Sequence, residues 1–125
     1  MKRMKKYSPR HSPAFVLLFL ARGRNYGGAI LKMMEEEIPC FLGDSSMIYR
    51  MLQDLESEGA VESNWEIPEK GRPVRYYQLT EKGWQMLLEA EEDIRKRIDN
   101  HLFFLAELKK QKAARANASE QPEKE

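Results

Sequence analysis

The chain has 125 residues, enough for one domain with a modest core and one additional helix. Charged residues make up 33% and hydrophobic ones 42%, which describes a soluble globular protein and excludes a fibrous or membrane-spanning one. The 21 Lys and Arg almost cancel the 20 Asp and Glu, a total that weighs against a strongly basic nucleic-acid binder.

The placement of those charges says more than their sum. Residues 1–25 hold Lys2, Arg3, Lys5, Lys6, Arg10, Arg22 and Arg24 and no acid, whereas the remainder carries 14 basic and 20 acidic groups. Such sign asymmetry points to a nucleic-acid or membrane-surface partner, with a solvated tail as the plain alternative. Residues 1–11 are therefore expected to form a basic N-terminal arm.

Ala14 to Ala21 is an apolar run that imitates a secretory leader. It ends in Arg22-Gly23-Arg24, lacks a small-residue cleavage site and begins with Ser12-Pro13, an N-cap followed by a first-turn proline. Eight apolar residues are also too few to cross a bilayer. A core helix from Ser12 to Arg22, ended by Gly23, is the expectation.

A second helix is expected over Gly27–Glu37, with Ala29, Ile30, Met33 and Met34 on its apolar face and Pro39 beyond its end. Cys40, the single cysteine, fits a reducing cytoplasm and forbids an internal disulfide; it reads as a small buried hydrophobe. With only His11 and His101 beside it, no metal-ligand spacing exists. Asp44-Ser45-Ser46 opens a third helix whose Ile48, Met51, Leu52 and Leu55 recur at core spacing, and Gly59 is placed to terminate it.

After Gly59 the period changes to two. Val61, Ser63, Trp65 and Ile67 make one strand and Val74–Leu79 another, joined through Pro68 to Pro73 as a hairpin. Thr80 then caps a long last helix with an apolar stripe of Leu87, Ile94, Ile98, His101, Leu102, Leu105 and Leu108. Residues 113–125 carry no such stripe and read as a disordered tail.

Three helices, a hairpin and a long helix form a mainly α (α+β) chain: a winged helix-turn-helix over residues 12–80 and a C-terminal dimerisation helix over residues 81–112. In a helix-turn-helix the second helix of the motif presents its N-terminal residues to base edges in the major groove. Here these are Ser45, Ser46, Met47, Tyr49, Arg50 and Gln53. Arg50 can fork to guanine and Gln53 can pair with adenine, while Tyr49 and the serines suit phosphates. Lys70, Gly71, Arg72 and Arg75 give the wing a cationic tip, and Lys2, Arg3, Lys5, Lys6 and Arg10 add an arm. A charged tip that merely guards a sheet edge is the bland counterpart.

Asn25-Tyr-Gly-Gly-Ala-Ile-Leu31, Ile48-Tyr-Arg-Met-Leu-Gln-Asp-Leu-Glu-Ser-Glu-Gly59, Val61-Glu-Ser-Asn-Trp-Glu66 and Gly71-Arg-Pro-Val-Arg-Tyr-Tyr-Gln-Leu-Thr-Glu-Lys-Gly83, in this order, resemble the PadR family of bacterial transcriptional regulators. The resemblance covers residues 14–88 and matches the short members with a single C-terminal helix. It implies a cytoplasmic, bacterial or archaeal winged-helix repressor that binds a palindromic operator in double-stranded DNA as a homodimer. Ser46 stands where the family usually has glycine, which bears on how closely the backbone approaches DNA.

The resemblance implies that some relatives respond to small apolar or aromatic effectors, for which Trp84, Phe103 and Phe104 are the candidates here; plain dimer packing is the weightier reading of those residues. A cofactor is not implied. Glu35–Glu37 and Glu89–Asp93 fit solvated helix faces, with no His, Cys or phosphate loop beside them, so an enzyme is not expected. The rival reading is a winged-helix module that binds a protein partner and no DNA.

Overall fold

The computed structural model describes residues 11–120, the side chain of Glu120 excepted. Elements run α1 (Ser12–Leu20), β1 (Asn25–Tyr26), α2 (Gly27–Glu37), α3 (Ser45–Ser57), β2 (Val61–Glu66), β3 (Val74–Leu79) and α4 (Glu81–Glu120). This is the winged-helix order expected from the sequence. Two compact units result, one ending at residue 90 and the other beginning at residue 91.

In the first unit α1 is apolar nearly all round, and it buries Val16, Leu17, Phe19 and Leu20. A helix without a polar face has to be enclosed. It is covered by Ile30 and Met34 of α2, by the α3 stripe, by Ala60 on the connection to β2, and by Val61 and Tyr77 from the sheet. His11, not Ser12, is the N-cap residue of α1, so the helix starts one residue earlier than expected and Ser12 is buried as its first helical residue. Arg22 holds the open end of this pair. Its guanidinium grips both oxygens of Glu37 at 2.9 and 2.6 Å and lies 4.5 Å from the centre of the Phe19 ring. Hydrogen bonding to Arg22 keeps the Glu37 carboxyl below its ordinary range.

Two caps fix α3. The Asp44 carboxylate accepts from the backbone N–H of Met47 at 2.9 Å. At the other end Gly59 has φ of 82°, and the N–H groups of Gly59 and Ala60 donate to the carbonyls of Glu56 and Leu55. That is a Schellman stop, which requires glycine at C′. It reverses the chain directly into β2.

The sheet is antiparallel in the order β1-β3-β2. Val61 pairs with Leu79 and Glu66 with Val74, while Asn25 and Tyr26 face Tyr77 and Tyr76 on the other edge of β3. No strand was expected at Asn25 and Tyr26, which directly precede α2. Two residues are too short for a period-two pattern to show, and their strand character comes from β3. Thr80 caps α4 as expected. Its hydroxyl accepts from Gly83 N–H at 3.1 Å and donates to the Gly59 carbonyl at 2.7 Å, joining the α3 stop to the start of α4.

Three expectations need correction. Cys40 is exposed, because Pro39 ends α2 and leaves the cysteine on the connection to α3. Leu87, assigned to the dimer stripe, packs instead against the core of the first unit, together with Met86 and Leu79. The expected tail is helical as far as Glu120. Ala113, Ala114, Ala116 and Ala118 are strong helix formers, and a missing apolar stripe does not stop a helix that is already nucleated. Residues 121–125 lie outside the described residues.

In the second unit residues 91–120 are one helix, with Glu91 to Arg95 and Asp93 to Arg97 bridged at 2.9 and 3.1 Å. Leu102, Phe103, Phe104 and Leu105 are each exposed by 59% or more. Among the described residues no helix is long and apolar enough to cross a membrane, and no cluster of His, Cys, Asp or Glu could hold a metal ion.

Candidate nucleic-acid interface

The N-terminal half of α3 sorts its residues by face. Met47, Ile48, Met51, Leu52 and Leu55 are buried, and Ser45, Ser46, Tyr49, Arg50 and Gln53 are exposed. Met47, expected among the base-facing residues, is only 3% exposed and belongs to the core. Its spacing of four from Met51 places both on one side of a 3.6-residue helix. The polar side therefore retains five of the six expected residues.

Tyr49 leans back onto the start of α2. A Cβ on Gly27 would sit 2.5 Å from the Tyr49 ring, so a residue without a side chain at 27 allows the phenol to lie across the N-terminus of α2. The first turn of α2 and the polar side of α3 thus meet at one aromatic ring.

Facing them is the hairpin. Lys70, Gly71 and Arg72 are exposed at its tip, where Gly71 takes φ of 107° between Pro68 and Pro73. Among the described residues no carboxylate pairs with Lys70 or Arg72. Arg75, expected as a fourth wing contact, is held otherwise. Its guanidinium donates to Glu56 Oε1 and Ser63 Oγ, each at 2.9 Å, and the Ser63 hydroxyl donates to Glu56 Oε2 at 2.7 Å. It also lies within 6 Å of the Trp65 and Tyr77 ring centres. Arg75 therefore locks the wing to the end of α3. Glu56 reads as one more acid of a solvated helix in sequence, and nothing in its spacing announces the lock.

Arg24 is likewise engaged, bonded to Glu66 at 2.8 Å and stacked 4.5 Å from the Tyr76 ring centre. Tyr76 in turn meets the edge of Tyr26. Burial pushes the Tyr77 hydroxyl above its ordinary range, against the opposing pull of Arg75.

Between α3 and the hairpin opens a cleft of about 490 Å³, walled by Tyr26, Tyr49, Gln53, Trp65 and the segment Arg72 to Arg75. Tyr26 and Trp65 were not singled out from the sequence. The alternation of β2 puts Trp65 on the same face as Val61 and Ser63, and that signal marked a strand rather than a site. The expected arm residues Lys2, Arg3, Lys5, Lys6 and Arg10 lie outside the described residues. Trp84 is exposed in the first unit, and Phe103 and Phe104 are exposed in the second.

A polar helix face and a cationic hairpin tip thus flank one cleft, a surface suited to a large polyanion. Comparison with known proteins points the same way. The model of the transcriptional regulator PadR-like family matches residues 16–89. A PadR family transcription regulator from Clostridium difficile shares the fold at a TM-score of 0.67 and 22% identity, over 76% of this chain and 98% of that one. A transcriptional regulator TA0346 from Thermoplasma acidophilum gives 0.60 at 28% identity, over 72% and 88%. Bacillus subtilis PadR, solved in complex with operator DNA, gives 0.60 at 27% identity, over 64% of this chain and 46% of that one. No curated protein matches the sequence.

Proposed function

We propose that this chain, which belongs to the PadR-like family of transcriptional regulators, binds operator DNA as a homodimer and represses transcription from it. Members of that family are regulators and not enzymes. The observation that carries the proposal is that unpaired Arg72 faces Tyr49 and Gln53 across the cleft, with Lys70 exposed beside Arg72 on the hairpin tip and Arg50 exposed on α3.

In this reading the exposed side of α3 enters the major groove. Arg50 and Gln53 reach base edges, while Ser45, Ser46 and Tyr49 meet phosphates. The strand of sugar and phosphate between the grooves occupies the cleft, and the wing tip follows it to the neighbouring minor groove. Ser46 adds a hydroxyl beside the helix N-terminus, which itself favours an anion. The basic residues of the arm, Lys2 to Arg10, contribute further phosphate contacts.

Dimerisation is supported by the apolar face of the second unit, where Ile98, Leu102, Leu105 and Leu108 are exposed. A continuous apolar face of this kind marks an interface. A two-fold pair presents two recognition helices to half-sites about 34 Å apart on a palindromic operator. Trp84, Phe103 and Phe104 are the exposed aromatics at which a small apolar or aromatic effector would act. The protein then works in the cytoplasm, where chromosomal DNA is.

Footprinting on genomic fragments tests the proposal. A protected inverted repeat overlapping a promoter is expected. Protection of no fragment, with a protein partner bound instead, supports the interaction-module alternative.

A further inference from the structure

The hairpin face that looks toward α3 changes character along its length. Its cross-strand pairs run from Val61 and Leu79 through Ser63 and Tyr77 to Trp65 and Arg75. Val61 and Tyr77 are buried in the core, whereas Trp65 is 61% exposed and walls the cleft. Period-two alternation therefore carries one face from the core out to open solvent.

The first unit leaves most of the Trp65 side chain uncovered, yet it holds the ring in place. The Arg75 guanidinium lies 5.8 Å from the ring centre, and Glu56 and Ser63 hold that guanidinium at 2.9 Å. Among the described residues the indole N–H has no hydrogen-bond acceptor. A large apolar ring fixed on the wall of a cleft, with its one donor unused, suits an occupant that takes both.

The charge of the cleft narrows the choice of occupant. Arg75 is spent on Glu56, which leaves Arg72 as the unpaired cation among the lining residues. Much of the remaining wall is the Gln53 amide and the rings of Tyr26, Tyr49, Trp65 and Tyr77. A ligand made of phosphates alone would want a row of cations. A DNA strand alternates anionic phosphates with apolar deoxyribose faces, and that alternation matches a wall carrying both Arg72 and Trp65.

We infer that Trp65 is a DNA-contacting residue, its indole face packed on a deoxyribose and its Nε1–H donated to the adjoining phosphate. The inference rests on the DNA reading above and adds to it a neutral contact that the basic tip does not supply. Arg75 then serves DNA without touching it, as the positioning residue behind the ring. Because the indole is uncharged, the contact releases no counterions and adds affinity without steepening the salt dependence. It reads no base edge, so it strengthens footprinted and scrambled duplexes alike.

Fluorine NMR tests the contact directly. The chain has two tryptophans, so fluorotryptophan labelling gives two resonances, and Trp65→Phe identifies the one from Trp65. In the free protein that resonance shifts between light and heavy water, as an exposed ring does. In the complex with the footprinted duplex the solvent shift is expected to be lost. A Trp65 resonance that keeps its full solvent shift in the complex overturns the inference.

Affinity gives a second readout. Trp65→Ala is expected to weaken binding of both duplexes about tenfold and to keep the wild-type salt slope, whereas Arg72→Ala flattens it. Trp65→Phe, which keeps a ring and loses the donor, recovers part of the loss. Unchanged affinity in Trp65→Ala, or a loss confined to the footprinted duplex, also overturns the inference. A denaturant midpoint checks the folding of Trp65→Ala, and the fluorine readout on the unmutated chain does not depend on it. A wild-type chain that binds no duplex removes the DNA reading and this contact with it. Duplex binding with Trp65 still open to solvent removes only the contact.

Discussion

Replacing Arg75 by alanine separates a structural cation from a DNA-contacting one. Arg75 makes two hydrogen bonds, both at 2.9 Å, to Glu56 and Ser63, and its side chain and that of Glu56 are 37% and 32% exposed. An exposed ion pair contributes about 0.2–1 kcal/mol, and a hydrogen bond to a charged group about 1.5–3 kcal/mol. A bridge a third open to water falls between these ranges. Arg75→Ala is therefore expected to lower unfolding stability by about 1–2 kcal/mol, part of it from the Glu56 carboxylate left without its partner. Arg72, exposed and unpaired, is expected to cost less than about 0.5 kcal/mol when truncated.

In DNA binding the order reverses. Arg72→Ala removes about one phosphate contact and flattens the salt dependence by about 0.9 in log–log slope. Arg75→Ala leaves the slope in place and weakens binding only as the wing loosens. Urea titration followed by tryptophan fluorescence, together with anisotropy at four salt concentrations, measures both quantities. The reasoning fails if Arg75→Ala leaves stability unchanged and flattens the slope as Arg72→Ala does.

Met47→Ala should destabilise the first unit by about 2–4 kcal/mol, as a large-to-small core substitution does, with operator preference unchanged; a denaturant midpoint and a binding-site selection measure the two effects. Gly27→Ala pushes the Tyr49 ring out of its seat, so operator affinity falls more than thermal stability does, as anisotropy and calorimetry on the same sample would show. Tyr77 has its hydroxyl pKa raised from an ordinary value near 10 by burial. Its neutral form is thus favoured in the folded state. The stabilisation is full below pH 10 and is lost as pH rises through the higher folded value. A Tyr77→Phe variant should show a shallower alkaline decline in unfolding stability than the wild type.

Much of the fold could be read from local chemistry. The bounds of α2, the start of β3, the stop of α3 at Gly59 and the start of α4 at Thr80 are set by caps and periodicity that act within a few residues. Legibility failed where a tertiary partner decides. Asn25 and Tyr26 become a strand because β3 lies beside them, and Leu87 joins the core because α4 begins against the sheet. Met47 shows a different limit, since a residue at the N-terminus of a recognition helix points to DNA or to the core according to one helical step.

The wing divides in the same way. Its cationic composition was plain in the sequence, but the commitment of Arg75 to Glu56 depends on residues 19 positions apart meeting across two elements. The charge total of the chain was the least informative number of all. It adds Lys70 and Arg72 of the wing tip, which pair with no described carboxylate, to acids that are spent on bridges along α4 and at the end of α3.

The central claim is that the exposed side of α3 and the wing tip together hold DNA. The most direct test is fluorescence anisotropy with the footprinted duplex and a scrambled one across a range of salt. Binding to the footprinted duplex should be tighter, fall steeply with salt, lose its sequence preference in Arg50→Ala and lose part of its slope in Arg72→Ala. Equal affinity for both duplexes, or a flat salt response that neither variant alters, contradicts it.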